Sequence, residues 1–467
     1  MTVITTPTQA VQWLRQHVTG TLHTDSRSIA PGDGFIAWPG TAVDARSFVA
    51  PALQQGSVAC LVEQQDSELF ALPASGVAHY PGLQPQAGMI AAEWFGHPSR
   101  ELATVAVTGT NGKTSTTWWL AHALSQLESA YAMPCGLIGT LGVGQPGQEL
   151  VSTGLTTPDP IMLQRTLRQF VDAGMKACAM EASSIGLEEC RMLGTHVKVA
   201  VFTNFSQDHL DYHGSMEAYW QAKRRLFDWP GLHSAVINVD DSYGMALADS
   251  LQGQLPDVWT VSCQRPARLQ ACNITYQDVG LSFDVLEDGI AVPLSTRMIG
   301  AYNISNVLGV VAAMRALGVP LHLAVQACSQ LTPVPGRMEC IGGVAAPLVA
   351  VDYAHSPDAL VHALIALRPL VQQRGGRLWC VFGCGGDRDT SKRPIMGAVA
   401  MRHADNVVIT SDNPRSEKPE SIISQILLGL VEQNAAEVCV DRAQAIAEAI
   451  NQAAEEDVIC WPAKVMK

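Results

Sequence analysis

VAVTGTNGKTSTT, Val105–Thr117, is the stretch that decides the fold class of this chain. Thr104–Thr108 is a run of β-branched and small apolar residues, which predicts a buried parallel strand. The run breaks at Gly109 and Gly112. Lys113-Thr114 then open a helix with apolar residues at Leu120, Ala123, Leu124 and Leu127. Glycines at such a junction let backbone N–H groups close around phosphate oxygens, and the helix N-terminus adds a favourable dipole. Lys113 is placed to reach the β- and γ-phosphates, and the Thr114 hydroxyl to hold Mg²⁺. One position departs from the usual phosphate loop: Val107 stands where a glycine is common. Gly-Lys-Thr at a strand–helix junction nevertheless marks a nucleotide-phosphate site and implies an energy-coupled reaction.

The chain has 467 residues, enough for several domains with separate cores. Its hydrophobic content of 47 %, with no polar low-complexity tract or internal repeat, predicts a fully folded protein. The N-terminus MTVITTPTQAVQWLRQHV has no basic region followed by an apolar run, so it does not read as a secretory signal. No apolar stretch is long enough to span a bilayer, and a cytoplasmic, monomeric protein without membrane insertion is expected. The 12 cysteines, among them Cys60, Cys178, Cys328 and Cys439, lie scattered in apolar segments. Cys380 and Cys384 lack metal-ligand spacing, so reduced buried thiols are expected. A net charge of −13 disfavours nucleic acid as a partner, and an anionic substrate would need local arginines and lysines.

Three blocks separate along an α/β pattern: 1–99 with short strands and glycine–proline turns, 100–334 with the phosphate loop, and 335–467 where the alternation restarts. The central block predicts a helix at Ile161–Ala173 and strands at Ala177–Met180 and Lys198–Phe202. The third predicts strands at Leu348–Val351, Leu378–Phe382 and Asn406–Thr410, with a helical stretch at Pro357–Leu367. Ligands on such sheets sit beyond the carboxyl ends of the strands. Polar residues cluster at those ends: Glu181-Ala-Ser183-Ser184, then Thr203-Asn204 through Asp208-His209 and on to Asp211 and His213, then a helix carrying Lys223. Glu181 and His209 beside a phosphate loop would supply oxygen and nitrogen ligands for Mg²⁺, whereas Asp211 and His213 fit a capping or core role equally well. VDYAHSP (Val351–Pro357), GCGGDRD (Gly383–Asp389) and SDNPRSE (Ser411–Glu417) each follow a strand of the third block.

In chain order, GTNGKTS, GLTTPDP, MEASS, FTNFSQDHLDYHG, GAYNISN, PGRME, VDYAHSPDAL, FGCGGDRDTSKRP and DNPR together resemble the Mur ligase family over nearly the whole chain. The resemblance implies an N-terminal UDP-binding domain, a central ATPase and a C-terminal Rossmann-like domain. It also implies members that use ATP and Mg²⁺ to join meso-2,6-diaminopimelate to UDP-N-acetylmuramoyl-L-alanyl-D-glutamate through an acyl phosphate. By resemblance, Gly109, Thr110, Asn111, Gly112, Lys113, Thr114 and Ser115 hold the phosphates, with Asn303, Arg337 and Asp352 around the rest of ATP. Thr114 and Glu181 would hold one Mg²⁺, and Glu181, His209 and a carbamylated Lys223 (N6-carboxylysine) a second. Lys113, Glu181, His209 and Lys223 form the implied catalytic group. Ser26, Thr156, Thr157, Ser183, Glu189 and Arg191 match positions around the UDP-linked substrate. Glu189 stands where a glutamine is frequent, Ile185 where a histidine often follows Ser-Ser, and Thr41-Ala42-Val43 shows no base-reading chemistry. Asp412, Asn413, Pro414 and Arg415, with Arg388, match the amino-acid site, where an arginine fork suits the second carboxylate that separates diaminopimelate from lysine.

Two other readings share the motif set in part: a folylpolyglutamate synthetase, which has the same loop, and a nucleotide-binding pseudoenzyme. The second follows from the tail. After Asp457-Val-Ile459 the family pattern gives way to Cys460-Trp-Pro-Ala-Lys-Val-Met-Lys467, and Pro462, which cannot donate to a ladder, predicts a broken central strand. Codons for the family's Leu-Leu-Ala-Gly-Lys-Gly-His-Glu, less one T, translate as this tail, which reads as a frameshifted or truncated product. Ala463 and Lys467 would then replace a glycine and a glutamate at the amino-acid site. The expectation is intact ATP and UDP-substrate sites, weak diaminopimelate addition and a less stable third domain.

Overall fold

A computed structural model of the chain describes residues 2–40, 43–277, 280–343, 345–432 and 435–462. Three sheets, each mostly parallel, carry the α/β architecture. The first orders its strands Thr2–Val3, Val77–Tyr80, Ala59–Glu63, Gly34–Ala37 and Leu22–His23, all parallel. Its strands alternate faces: Ile36, Leu61 and Ala78 pack under the helices Pro7–His17 and Leu83–Trp94, while Phe35, Ala37 and Val62 pack under Val49–Gln55. Ile161 of the next block enters the first of these cores and fixes the two units together.

The central sheet has 10 strands. Its parallel middle runs Leu269–Gln277, Asp257–Ser262, Ser234–Asn238, Val199–Phe202, Ala103–Thr108, Ala177–Glu181 and Cys135–Gly139, with antiparallel strands at both edges. The phosphate-loop strand Ala103–Thr108 therefore lies between Val199–Phe202 and Ala177–Glu181, so the polar segments that follow all three emerge at one end of the sheet. Helices Lys113–Ser125 and Tyr302–Ala316 cover one face, and Pro160–Asp172 and Met216–Arg224 the other. Val107 departs from the phosphate-loop pattern because it is still strand: it is fully buried and registers against Glu181. The turn begins two residues later at Gly109, whose φ is 144° and where an added Cβ would lie 1.9 Å from Thr203 Oγ1.

The third sheet orders Glu339–Gly342, Leu348–Asp352, Val458–Pro462, Leu378–Phe382, Asn406–Ile409 and Glu437–Val438, antiparallel only at the first pair. Helix Pro357–Arg374 runs past the predicted end at Leu367 and through Pro369. Buried Leu367 and Val371 on either side of the proline hold it in place, and Gly375 ends it with φ 75°. The tail expectation also needs correction. The strand is not broken: Val458–Pro462 is a central strand, paired with Leu348–Asp352 through Pro462 and with Leu378–Phe382 only through Cys460. Pro462 is the last strand residue, past the end of the second ladder, so only one neighbouring strand flanks it there. Residues 463–467, which carry the rest of that reading, lie outside the described residues, as do Thr41 and Ala42.

Candidate active site

Glu181 ends its strand 1 % exposed, with both carboxylate oxygens in use. Oε1 accepts from the Thr140 amide at 2.7 Å, and Oε2 accepts from the Thr114 hydroxyl at 3.1 Å and the Thr140 hydroxyl at 3.2 Å. The Thr140 hydroxyl also pairs with that of Thr156 at 3.0 Å. Thr157 continues the chain: its hydroxyl donates to the Glu181 carbonyl at 2.8 Å and accepts from the Ser183 amide at 3.0 Å. The predicted phosphate and acceptor residues thus meet on one carboxylate. Thr140 was not singled out in the sequence, although it follows the apolar strand Cys135–Gly139 and the strand-end rule applies to it equally.

Around the phosphate loop, Lys113 Nζ donates to the carbonyls of Gly109 and Thr110, each at 2.9 Å. Burial pushes its pKa down, against the pull of Glu181 and Asp208. Thr110 Oγ1 accepts from the Ser206 amide and from Tyr219 Oη, and Ser115 is buried in the first helical turn. Lys223 is 1 % exposed, donates from Nζ to the Gly109 carbonyl at 2.7 Å and sits 4.4 Å from the centre of the Tyr219 ring. Burial, then the neighbouring Lys113 charge, lower its pKa well below the usual lysine value. His209 has φ 52°, and burial pushes its pKa down to about 4 even with Asp208 at 3.6 Å, leaving a neutral imidazole near pH 7. Among the described residues no three His, Cys, Asp or Glu side chains converge as a ready metal cluster. Thr114 and Glu181 supply hard oxygen donors suited to Mg²⁺, whereas Lys223 fits such a set only if its amine is converted to a carbamate.

From the third domain, Arg337 donates to Thr114 Oγ1 at 3.2 Å and stacks on the Tyr353 ring at 4.2 Å. Asp352 accepts from the Met338 amide at 3.0 Å; burial raises its pKa while Arg337 opposes. Asn303 is held by the Ile299 carbonyl and accepts from Asn306, whose side chain in turn lies against Gly112. Asn306 is a second residue not singled out in the sequence; it lies one helical turn beyond Asn303.

On the acceptor side, Arg191 donates from Nε and Nη2 to Glu189 Oε2 at 2.9 and 2.7 Å and from Nη1 to the Thr157 carbonyl at 2.9 Å. Glu189, which stands where a glutamine is frequent, is therefore neutralised in place, with Tyr212 Oη donating to its other oxygen at 3.3 Å. His213, which the sequence left open, meets the Ser184 hydroxyl at 3.0 Å, beside Ile185. Ser26 lies apart from this group, half-buried in a short turn after the strand Leu22–His23 of the first sheet.

The loops Gly383–Asp389 and Ser411–Glu417 pack on each other. Gly386 N–H donates to the Asn413 carbonyl at 2.9 Å, and Arg415 Nη1 donates to the Gly386 carbonyl. A Cβ on Gly386 would lie 1.9 Å from the Pro414 carbonyl. Beneath them Arg393, fully buried, donates to both oxygens of Glu417 at 2.7 and 2.8 Å, to Gln425 and to the Gly385 carbonyl. Sequence reading passed over this arginine, although it lies inside the quoted DTSKRP motif. Asp412 sits 3.5 Å from Arg442, and Arg388 reaches across to Asp211 at 4.0 Å rather than towards Arg415.

The Mur ligase middle domain model matches residues 107–314, and the Mur ligase glutamate ligase domain model matches 336–465. The UDP-N-acetylmuramoyl-L-alanyl-D-glutamate–2,6-diaminopimelate ligase of Acidovorax sp. (strain JS42) is 60 % identical over 98 % of this chain and 91 % of its own length. The protein of the same name from Janthinobacterium sp. (strain Marseille) is 46 % identical over 99 % of this chain and 93 % of its own length. A solved structure bearing that name superposes with TM-score 0.66 at 32 % identity, covering 94 % of this chain and 88 % of that one. A Mycobacterium tuberculosis folylpolyglutamate synthase shares the fold alone, with TM-score 0.67 at 18 % identity over 81 % of this chain and 92 % of its own. With the two models matched over 107–314 and 336–465, and with the 60 % relative spanning nearly every residue, the chain belongs to the Mur ligase family.

Proposed function

We propose that this chain is an ATP-dependent ligase that forms an amide bond between UDP-N-acetylmuramoyl-L-alanyl-D-glutamate and meso-2,6-diaminopimelate, in peptidoglycan precursor synthesis. The observation that carries the reading is Glu181, which takes the phosphate-loop hydroxyl of Thr114 and, through Thr140, the acceptor-side hydroxyl of Thr156. A phosphoryl donor and a carboxylate acceptor bound to those residues come together at one carboxylate. The substrate pair is supported by the names of relatives up to 60 % identical. We assign the three domains to 1–99, 100–334 and 335–467, and we place the protein in the cytoplasm as a monomer. No helix among the described residues is long and apolar enough to cross a membrane.

In the first step the acceptor carboxylate oxygen attacks the γ-phosphorus and the bond to ADP breaks, giving an acyl phosphate. The diaminopimelate amine then attacks that carbonyl, loses a proton, and orthophosphate leaves. The work of the chain is positioning and charge compensation. Lys113 exchanges its two carbonyl contacts for phosphate oxygens, and Arg337 adds a second cation beside Thr114. Arg191, held by Glu189, orients the acceptor. One Mg²⁺ held by Thr114 and Glu181, and a second held by Glu181, His209 and carbamylated Lys223, would neutralise the phosphate charge. Burial, then the neighbouring Lys113 charge, lower the Lys223 pKa, which favours the neutral amine that adds CO₂ with loss of a proton. Arg415, exposed beside Asn413, is the fork for the far carboxylate of diaminopimelate.

The test is phosphate release from ATP with the UDP-muramoyl dipeptide, comparing meso-diaminopimelate, lysine and no amino acid. Release dependent on diaminopimelate is expected. Release with a folate and glutamate would favour the folylpolyglutamate reading, and nucleotide binding without any release would favour the pseudoenzyme.

A further inference from the structure

The phosphate loop is held from two domains. Within the central domain the Asn111 backbone is fully engaged: its N–H donates to Asn204 Oδ1 at 2.9 Å, and its carbonyl accepts from Thr203 Oγ1 and Asn204 Nδ2. Its side chain points elsewhere. Asn111 Nδ2 donates at 3.1 Å to Asp358 Oδ2, and Ser206 Oγ donates to the same oxygen at 2.9 Å. Asp358 is the second residue of the third-domain helix Pro357–Arg374. Its position is fixed by the helix N-cap, where the buried Ser356 hydroxyl accepts from the Ala359 amide. The other carboxylate oxygen, Oδ1, faces His362 Nε2 at 3.3 Å one turn along.

Gly109 and Gly112, both with φ in the left-handed range, flank the two residues that these bonds restrain. Glycine lowers the barrier to rearrangement, so a loop of this composition needs external restraint to hold one geometry. Asn204 pins the backbone, and Asp358 pins the Asn111 side chain and the Ser206 hydroxyl of the neighbouring strand-end segment together. Arg337 also crosses from the third domain, to Thr114 Oγ1 at 3.2 Å, but it meets the helix that follows the loop and leaves Asn111 untouched. His355 to Asp208 at 3.8 Å and Arg388 to Asp211 at 4.0 Å are longer and approach the Thr203–Ser206 side.

We propose that Asp358 is a positioning residue: the third domain, by delivering this carboxylate, sets the phosphate loop and the Thr203–Ser206 segment in their reactive arrangement only when the two domains are together. It touches neither the phosphates nor the reacting atoms. The kinetic consequence rests on the ligase reading above; the loop restraint does not. In the full chain, Asp358→Ala is expected to lower kcat by roughly ten- to hundredfold, the range set by hydrogen bonds to a charged group. ADP affinity should stay close to wild type, because the central-domain contacts remain. Asp358→Asn keeps an acceptor oxygen and should recover most of the loss. Hydrogen exchange reads the restraint without any turnover: the amides of 109–112 and 204–206 should exchange faster in Asp358→Ala, with the core of strand Ala103–Thr108 unchanged. Wild-type exchange and kcat in Asp358→Ala would overturn the proposal. So would equal losses in the Ala and Asn variants together with a lowered melting temperature, which would make the residue merely part of the helix start. A wild-type chain that fails to ligate would sink the functional reading while leaving the exchange result to decide this one.

Discussion

Replacing Arg393 by Met should loosen the amino-acid loops while sparing the nucleotide site. Four donor contacts disappear: two to Glu417, one to Gln425 at 2.7 Å and one to the Gly385 carbonyl at 3.1 Å. Met retains much of the packing volume, so the loss is polar. Glu417 is 26 % exposed and recovers water once unpaired, so the cost lies with the acceptors left without a donor, Gln425 and the Gly385 carbonyl, about 2–3 kcal/mol for the two together. For a domain of this size that is a drop in melting temperature on the order of 10 °C. Differential scanning calorimetry should show it in a third-domain transition, while ADP binding is preserved and the KM for diaminopimelate rises. The acid limb gives a second check. Arg393 holds the Glu417 pKa down to about 2 from 4.5. A depressed carboxylate stabilises above its unfolded value, and that contribution is lost as pH falls through the folded one. The wild type should therefore lose stability from this group between about pH 4.5 and 2, and Arg393→Met should show a smaller limb, since only the Asp387 amide then still holds the carboxylate down. A third-domain transition within about 1 kcal/mol of wild type would refute the reasoning.

Lys223→Ala should lose most ligase activity, with partial recovery from small carboxylates and none from added bicarbonate; ¹³CO₂ labelling of the wild type should yield a lysine carbamate signal. Full activity in that variant would remove the metal-ligand role. Arg415→Ala should raise the KM for diaminopimelate about ten- to hundredfold, since losing hydrogen bonds to a charged group costs about 1.5–3 kcal/mol, with ATP and UDP-substrate constants little changed. His209 should titrate by NMR with a midpoint near the value of about 4 set by its burial. Because its folded pKa lies below its unfolded value of 6.5, it adds stability above pH 6.5 that is lost as pH falls through about 4; a midpoint near 6.5 would contradict the burial. Glu189→Gln should free Arg191 of the carboxylate whose Oε2 takes two of its donors and leave or improve acceptor binding, and a raised acceptor KM would show that the carboxylate itself positions substrate.

What the sequence disclosed was local. β-branched runs gave the strands, Gly-Lys-Thr marked the glycine turn between strand Ala103–Thr108 and helix Lys113–Ser125, and the rule that ligands sit beyond strand carboxyl ends directed attention to Glu181, His209 and the three loops of the last block. What it withheld depends on register between distant segments. Thr140 matters because Cys135–Gly139 pairs beside Ala177–Glu181, bringing its hydroxyl and amide onto Glu181 from 41 positions away. Arg393 matters because its helix passes beneath Glu417, 24 positions on. Neither adjacency is written in composition or periodicity. Asp358 carries the same lesson further, since its partners Asn111 and Ser206 belong to another domain.

Pro462 shows how a sound local rule misleads when the neighbour is unknown. Proline does cost a strand one donor, and the inference of a broken ladder assumed partners on both sides. The strand Leu378–Phe382 pairs only as far as Cys460, so by Pro462 a single partner remains. The freed space is taken by Arg442, whose Nη2 donates to the Pro462 carbonyl at 3.0 Å and whose Nη1 donates to the Ser411 carbonyl at 2.8 Å, with Asp412 at 3.5 Å. One guanidinium thus ties the end of the central strand to the start of the Asp412–Arg415 loop. If the Asp412–Arg415 loop holds diaminopimelate as proposed, Arg442→Ala should raise the KM for diaminopimelate, and an unchanged KM would show that this tie serves the strand end alone.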